Sequence, residues 1–216
     1  IMFLLNLLLS SVAVSALSAT ECSYSYGNVD PNVVITAPDT YTVVFDTTVT
    51  LADGSKAEPI VLEVNRTWAP IGADHFYSLI KDQYYDCGAF FRVVPDFVVQ
   101  YGIAASPNET AKWDTAIVDD PVLVSNLPWT VTYATAGPDT RTTQLFINYI
   151  DNSRLDVDGF SPFGIITSGF DTALQITNPT PDDSNGIGQE RYTELGNDWV
   201  LKKYPDVDLV TTARLA

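Results

Sequence analysis

Apolar and polar positions alternate in strand fashion over Tyr41–Asp46 (YTVVFD) and again over Ile60–Val64 (IVLEV). Asp53-Gly54 between them is a hairpin turn signal. The period then changes. Trp68-Ala69-Pro70 opens a helix with proline in its first turn, and Ala73, Phe76, Leu79 and Ile80 recur at helical spacing as far as about Tyr84. Phe90–Val94 and Phe97–Tyr101 predict two apolar strands broken by Pro95-Asp96. Trp129–Ala134, Gln144–Asn148 and Phe163–Thr167 predict three more, separated by Gly137-Pro138 and by the acidic turn Asp156–Gly159. A short helix is expected over Asp171–Ile176, a linker over Asn178–Gly188 and a last helix over Gln189–Lys203, with Pro205 as its stop. Asp206–Ala213 adds a possible final strand. Many short strands with turn signals between them describe a closed or sandwiched β architecture.

The chain has 216 residues and is 46% hydrophobic, enough for one domain with its own core. Its 27 Asp+Glu against 11 Lys+Arg leave a net charge of −16. A nucleic-acid surface needs clustered cations, so no nucleic-acid partner is expected. Residues 1–19 carry no charge, and the run Phe3–Leu9 followed by small residues reads as a secretory signal peptide. The run is shorter than the roughly 20 residues a spanning helix needs. The expected organisation is a leader over 1–19, a polar lead-in over 20–39, the main domain over 40–180 and a helical extension over 181–216 packed upon it. The expected location is the secretory pathway: the endoplasmic-reticulum lumen, the exterior or another endomembrane or plastid lumen. Two glycosylation sequons fit that address: Asn65-Arg66-Thr67 beside a strand, and Asn108-Glu109-Thr110 in a loop-like stretch, the better acceptor. An oxidising compartment permits a Cys22–Cys87 bridge, which the sequence leaves open.

Common catalytic signatures are missing. There is no G-x-S-x-G, H-E-x-x-H, phosphate loop or C-x-x-C. Two cysteines and one histidine show no zinc spacing. His75 sits mid-helix and reads as a packing or surface residue. Asp156-Val157-Asp158-Gly159 lacks the spacing of a calcium loop and reads as an acidic turn. Asp119-Asp120 and Asp182-Asp183 read as solvated loop charges. No metal and no cofactor are expected. What stands out is Arg92, the one cation between Lys81 and Lys112, set in the run Phe90-Phe91-Arg92-Val93-Val94. With Gln100 and Gln144 it puts one guanidinium and two amides on an apolar wall, suited to an apolar group held through its backbone carbonyls.

The run from Phe90 through Arg92, Pro95 and Phe97 to Gln100 resembles the F-x-R-[VI]-[VI]-P-x-F-x-x-Q signature of the cyclophilins. Ala134-Thr135-Ala136-Gly137-Pro138 with Gln144-Leu145-Phe146-Ile147 is similar to a second family segment, and Leu155-Asp156 with Phe160-Ser161-Pro162-Phe163-Gly164 to a third. Order and spacing agree over about residues 40–177. The resemblance implies a closed eight-stranded antiparallel β-barrel capped by two helices, and peptidyl-prolyl cis-trans isomerase activity on proline-containing peptides and unfolded client proteins. It implies Arg92 as the donor to the prolyl nitrogen, with Gln100 orienting it and Phe97 beside it. Val98, Phe146, Leu155 and Phe160 would complete the proline pocket, Ala134, Thr135 and Ala136 would offer the peptide its backbone partners, and Gln144 would meet the residue before proline. Phe90 reads as plain core. Departures from the common pattern include Phe91, Val98, Thr135 and Phe160. Arg154 falls where many members carry a tryptophan that helps bind cyclosporin, so weak cyclosporin binding is expected, by a monomer. The competing reading is a proline-peptide-binding module on the same barrel with little turnover.

Overall fold

The structure is a computed structural model that describes residues 22–216. The expected leader over 1–19 lies outside the described residues. In chain order the elements are β1 (Thr40–Thr47), β2 (Ile60–Asn65), α1 (Pro70–Lys81), β3 (Arg92–Val94), β4 (Val98–Tyr101), α2 (Pro107–Lys112), β5 (Thr130–Tyr133) and β6 (Leu145–Asn148). A 3₁₀ helix (Ser153–Asp158), β7 (Pro162–Ser168), α3 (Phe170–Leu174), α4 (Gln189–Leu195), α5 (Asn197–Lys203) and β8 (Val210–Leu215) follow.

The strands form one eight-stranded antiparallel sheet in the order β3-β4-β6-β5-β7-β2-β1-β8. The expected closed barrel is corrected here. The sheet curls, but its edge strands β3 and β8 share no ladder. They meet only just before their starts, where Ala89 bridges Leu209, Phe90 N donates to Asp208 O and Val210 N donates to Gly88 O. The expected extension is likewise not only a cover: its β8 pairs with β1 from Val43↔Leu215 to Thr47↔Val210.

The expected pair of capping helices becomes five helices among the described residues. In α1, Ala73, Phe76, Leu79 and Ile80 are buried, the face the periodicity predicts. Its first turn has no side-chain cap of its own. Asp120 supplies one from across the chain, accepting from Ile71 N at 3.0 Å and Gly72 N at 2.8 Å. Asp120 also pairs with Arg141 at 3.2 Å, so the expectation of a solvated Asp119-Asp120 loop fails: Asp120 and Arg141 are both buried. The stretch around Asn108, expected as loop, is α2, with Pro107 in its first turn and Lys112 in its last. The single helix expected over Gln189–Lys203 breaks at Gly196, whose φ is +60°. A Cβ there would lie 2.4 Å from Ala105 O, so only glycine lets the chain pass.

The main core holds Val43, Leu62, Phe76, Phe90, Val99, Val131, Tyr133, Leu145 and Phe163. A satellite cluster, including Ala89, Phe91, Ile187, Tyr192, Val200 and Leu209, lies under α4 and α5. Strand alternation therefore sends Phe90 to one core and Phe91 to the other. Cys22 and Cys87 form a disulfide that ties the lead-in to this satellite region. Among the described residues no helix is long and apolar enough to cross a membrane.

Candidate active site

The β3–β4 hairpin turns at Pro95-Asp96, where Asp96 takes a φ of +57° and Phe97 N donates to Val94 O. That turn sets the register Arg92↔Gln100, and the next pairing sets Gln100↔Phe146. Three residues from three strands thus stand in a row on one face of the sheet. They line a groove of about 180 Å³ together with Phe97, Val98, Ala134, Thr135, Leu155 and Phe160. Nine of the eleven residues expected at the site meet there. Gln144 stands just behind, and Ala136 is exposed with its N–H donated to Thr140 Oγ1 at 2.8 Å.

The polar groups are chained. Arg92 Nη1 donates to Gln100 Oε1 at 3.2 Å, and Gln100 Nε2 donates to Gln144 Oε1 at 2.9 Å. On its far side Arg92 Nε donates to the carbonyl of Ser184 at 2.7 Å. The remaining guanidinium N–H groups have no partner among the described residues. Partial burial lowers the Arg92 pKa from its ordinary value, but an arginine remains a cation at physiological pH. Thr135 spends its hydroxyl on its own turn, bonding Gly137 O and Thr140. Ala134 N donates to Gln144 O at 2.9 Å, leaving its carbonyl for a ligand.

The apolar walls are edge-packed. Phe146 and Phe160 meet at 5.7 Å and 69°. The Phe97 ring lies under two cations, Arg92 at 5.7 Å and Arg154 at 4.8 Å.

Two supports of this site lie outside the residues that sequence reasoning singled out. The first is the segment read as a linker. Ile187 N donates to Phe91 O at 2.7 Å, which seats Ser184 behind Arg92. Gly186, at φ +80°, passes so close that a Cβ would lie 2.6 Å from the Arg92 Cβ. The turn signal Ser184-Asn185-Gly186 was visible in the sequence, but its target 92 residues away was not. The second is a buried amide network. Asn126, Asn148 and Asn152 are fully buried. Asn148 Nδ2 donates to Asn126 Oδ1 and Thr130 Oγ1, and Asn152 Nδ2 donates to Asn148 Oδ1 and to Phe97 O. Asn126 Nδ2 donates to Phe160 O and to Asp156 Oδ1. The network therefore grips the backbone of two pocket walls. Burial opposes ionisation of Asp156, but hydrogen bonds from Ser125 and Asn126 outweigh it and hold the carboxyl below its ordinary range. That carboxylate anchors the 3₁₀ helix that carries Leu155.

His75 is elsewhere. Its ring packs on Trp113 and Tyr133, as the packing reading expects, and burial pushes its pKa down to about 4.

Comparison with known proteins gives this geometry a context. The sequence profile of the family described as cyclophilin type peptidyl-prolyl cis-trans isomerase/CLD matches residues 48–194. A peptidyl-prolyl cis-trans isomerase of Acinetobacter baylyi is 32% identical over 137 residues, covering 60% of this chain and 72% of that protein. One from Schizosaccharomyces pombe is 33% identical over 133 residues, covering 58% and 83% respectively. The crystal structure of a Cryptosporidium parvum cyclophilin type isomerase superposes with a TM-score of 0.58 at 20% identity, over 82% of this chain and 98% of that one. At that identity the superposition speaks to the fold.

Proposed function

We propose, from the premise that this chain belongs to the cyclophilin-type peptidyl-prolyl cis-trans isomerase family, that the Arg92 groove is its active site and that it assists protein folding in the secretory pathway. Isomerisation itself follows from the family; the residues and the setting are the proposal. The uncatalysed rotation about an X-Pro bond faces a barrier of about 18–20 kcal/mol from amide resonance and takes tens to hundreds of seconds. Twisting the bond localises a lone pair on the prolyl nitrogen. A donor aimed at that nitrogen favours the twisted state over the planar one, which is the requirement for catalysis. No covalent step is involved.

The observation that carries this assignment is the two-sided grip on Arg92, by Ser184 O and Gln100 Oε1, beside a pocket walled by Phe97, Phe146 and Phe160. A guanidinium so held loses little freedom on meeting its substrate. A charged hydrogen bond contributes about 1.5–3 kcal/mol, or one to two powers of ten at about 1.36 kcal/mol each. The pocket and positioning supply the rest. Exchange NMR on a short Ala-Pro peptide tests the assignment. Arg92→Ala should lower kcat/KM about 10- to 100-fold, that being the worth of the bond. Equal catalysed exchange by both proteins overturns the role given to Arg92.

The Cys22–Cys87 bridge supports the oxidising setting. So does exposed Asn108, although Thr110 of its sequon is buried with its hydroxyl donated to Ser106 O; at the other sequon Asn65 Oδ1 already accepts from Thr67 N and Oγ1. The proposal includes a monomer that binds cyclosporin weakly, because exposed Arg154 offers a charge at the pocket rim. A sub-micromolar Kd by calorimetry overturns that expectation.

A further inference from the structure

In a chain of net charge −16, the cations that matter are those left unpaired. Among the described residues Arg66, Lys112, Arg141 and Arg214 are held by carboxylates. The other seven are not, and of these Arg92 and Arg154 place their guanidiniums over the same ring, Phe97. Of the nearby carboxylates, Asp156 accepts from Ser125 and Asn126 and Asp151 from Ser153 N, and neither these nor Asp158 or Asp96 forms an ion pair with Arg154. Two guanidiniums over one ring thus mark this end of the groove on a strongly acidic molecule. An opposite field at such a spot attracts and orients an anionic group.

The direction of a bound chain follows from the register. Gln144 O holds Ala134 N at one end of β6, while Asn148 pairs with Val98 at the other, next to Phe97. The four residue steps between these ends span about 13 Å, at about 3.3 Å each. Under the isomerase reading, residues before the proline lie along Ala134 and Gln144, and the proline sits between Phe146 and Phe160. Residues after the proline then leave over Phe97. We infer that this end selects substrates with an acidic residue directly after the proline, and that Arg154 is the specificity-determining contact. The inference rests on the isomerase reading for the direction of the chain.

The test uses the whole mature protein and three peptides: Ala-Ala-Pro-Glu-Ala, Ala-Ala-Pro-Gln-Ala, and Glu-Ala-Pro-Gln-Ala, where the acid precedes the proline. Kd is read by chemical-shift titration and isomerisation by exchange spectroscopy on the same samples. An exposed ion pair contributes up to about 1 kcal/mol, so the Pro-Glu peptide should bind about three- to fivefold tighter than Pro-Gln at about 1.4 kcal/mol per tenfold. The ratio should shrink as salt is raised. It should fall to about one in Arg154→Gln and invert in Arg154→Glu, whose exposed position leaves folding intact. Equal Kd values in the native protein overturn the inference. So does a preference that survives Arg154→Gln, or an equal gain from the acid placed before the proline. The two readings fail distinguishably: catalysed exchange without preference removes only this inference, whereas no catalysed exchange removes the isomerase reading and with it the chain direction this inference uses, even where a preference remains.

Discussion

Among the grooves formed by the described residues, two of similar size differ in how their polar groups are arranged. The Arg92 groove holds about 180 Å³. The other holds about 230 Å³ between the lead-in and α1, lined by Val33, Val34, Ile71, His75 and Trp113. The second is larger and has a titratable ring in its wall, yet its carboxylate is taken by an ion pair and its ring by packing. Asp74 is taken by Arg66 at 2.7 Å, and the His75 ring is packed on aromatic neighbours and held neutral by burial. In the Arg92 groove a chain of hydrogen bonds ends in unspent donors facing an apolar pocket. Volume and apolarity do not separate the two; convergent donors with their own rigid support do.

The comparison can be tested at three strengths. The largest effect is expected from Asn148→Ala. It strips partners from Asn126, Asn152 and Thr130 inside a buried network, which costs about 3–4 kcal/mol of stability in urea titration. Next comes acid. His75 titrates at about 4 in the fold against 6.5 when exposed, so between those values the unfolded chain takes up a proton that the folded one does not. The His75 contribution to stability therefore falls as pH drops through that window and levels off below it, by about 3 kcal/mol for this shift, while Asp86, whose carboxyl burial raises to about 6, contributes in the opposite direction over the same range. Urea titrations at neutral pH and near the lower end should show the stability difference between the native protein and His75→Gln change by about that amount, the Asp86 contribution cancelling in the comparison. The ratio kcat/KM should stay flat over the same range, because Arg92 does not titrate there. The smallest effect is expected from Val34→Ser. This side chain is 82% exposed in the second groove. Stability should move by less than about 0.5 kcal/mol, with kcat/KM unchanged. A loss of activity from that variant would make the second groove part of the substrate site.

Much of this was legible from local pattern. Alternation placed the strands, and the spacing of Phe76, Leu79 and Ile80 gave the buried face of α1. The pocket-forming residues from Arg92 to Phe160 were readable because three short motifs carry them. What escaped depends on partners far away in the chain. Asp120 is buried because Arg141 and the start of α1 come to meet it. Ser184 matters only once Ile187 has docked on Phe91. Asn148 reads as the polar end of a strand until Asn126 and Asn152 close around it. The open edge between β3 and β8 was also illegible, since alternation says which face a residue takes and not where a sheet stops.

The clamp on Arg92 has a consequence for the order of events during synthesis. The guanidinium leaves the ribosome 92 residues before the carbonyl that backs it. Its hairpin is complete long before α4, α5 and β8 exist, and β1, the first strand made, waits for β8, the last, to cover its edge. A nascent chain thus carries Arg92 with Gln100 as its one partner until Ser184 is made, so ribosome-bound fragments ending before Ser184 hold the hairpin with half of its clamp.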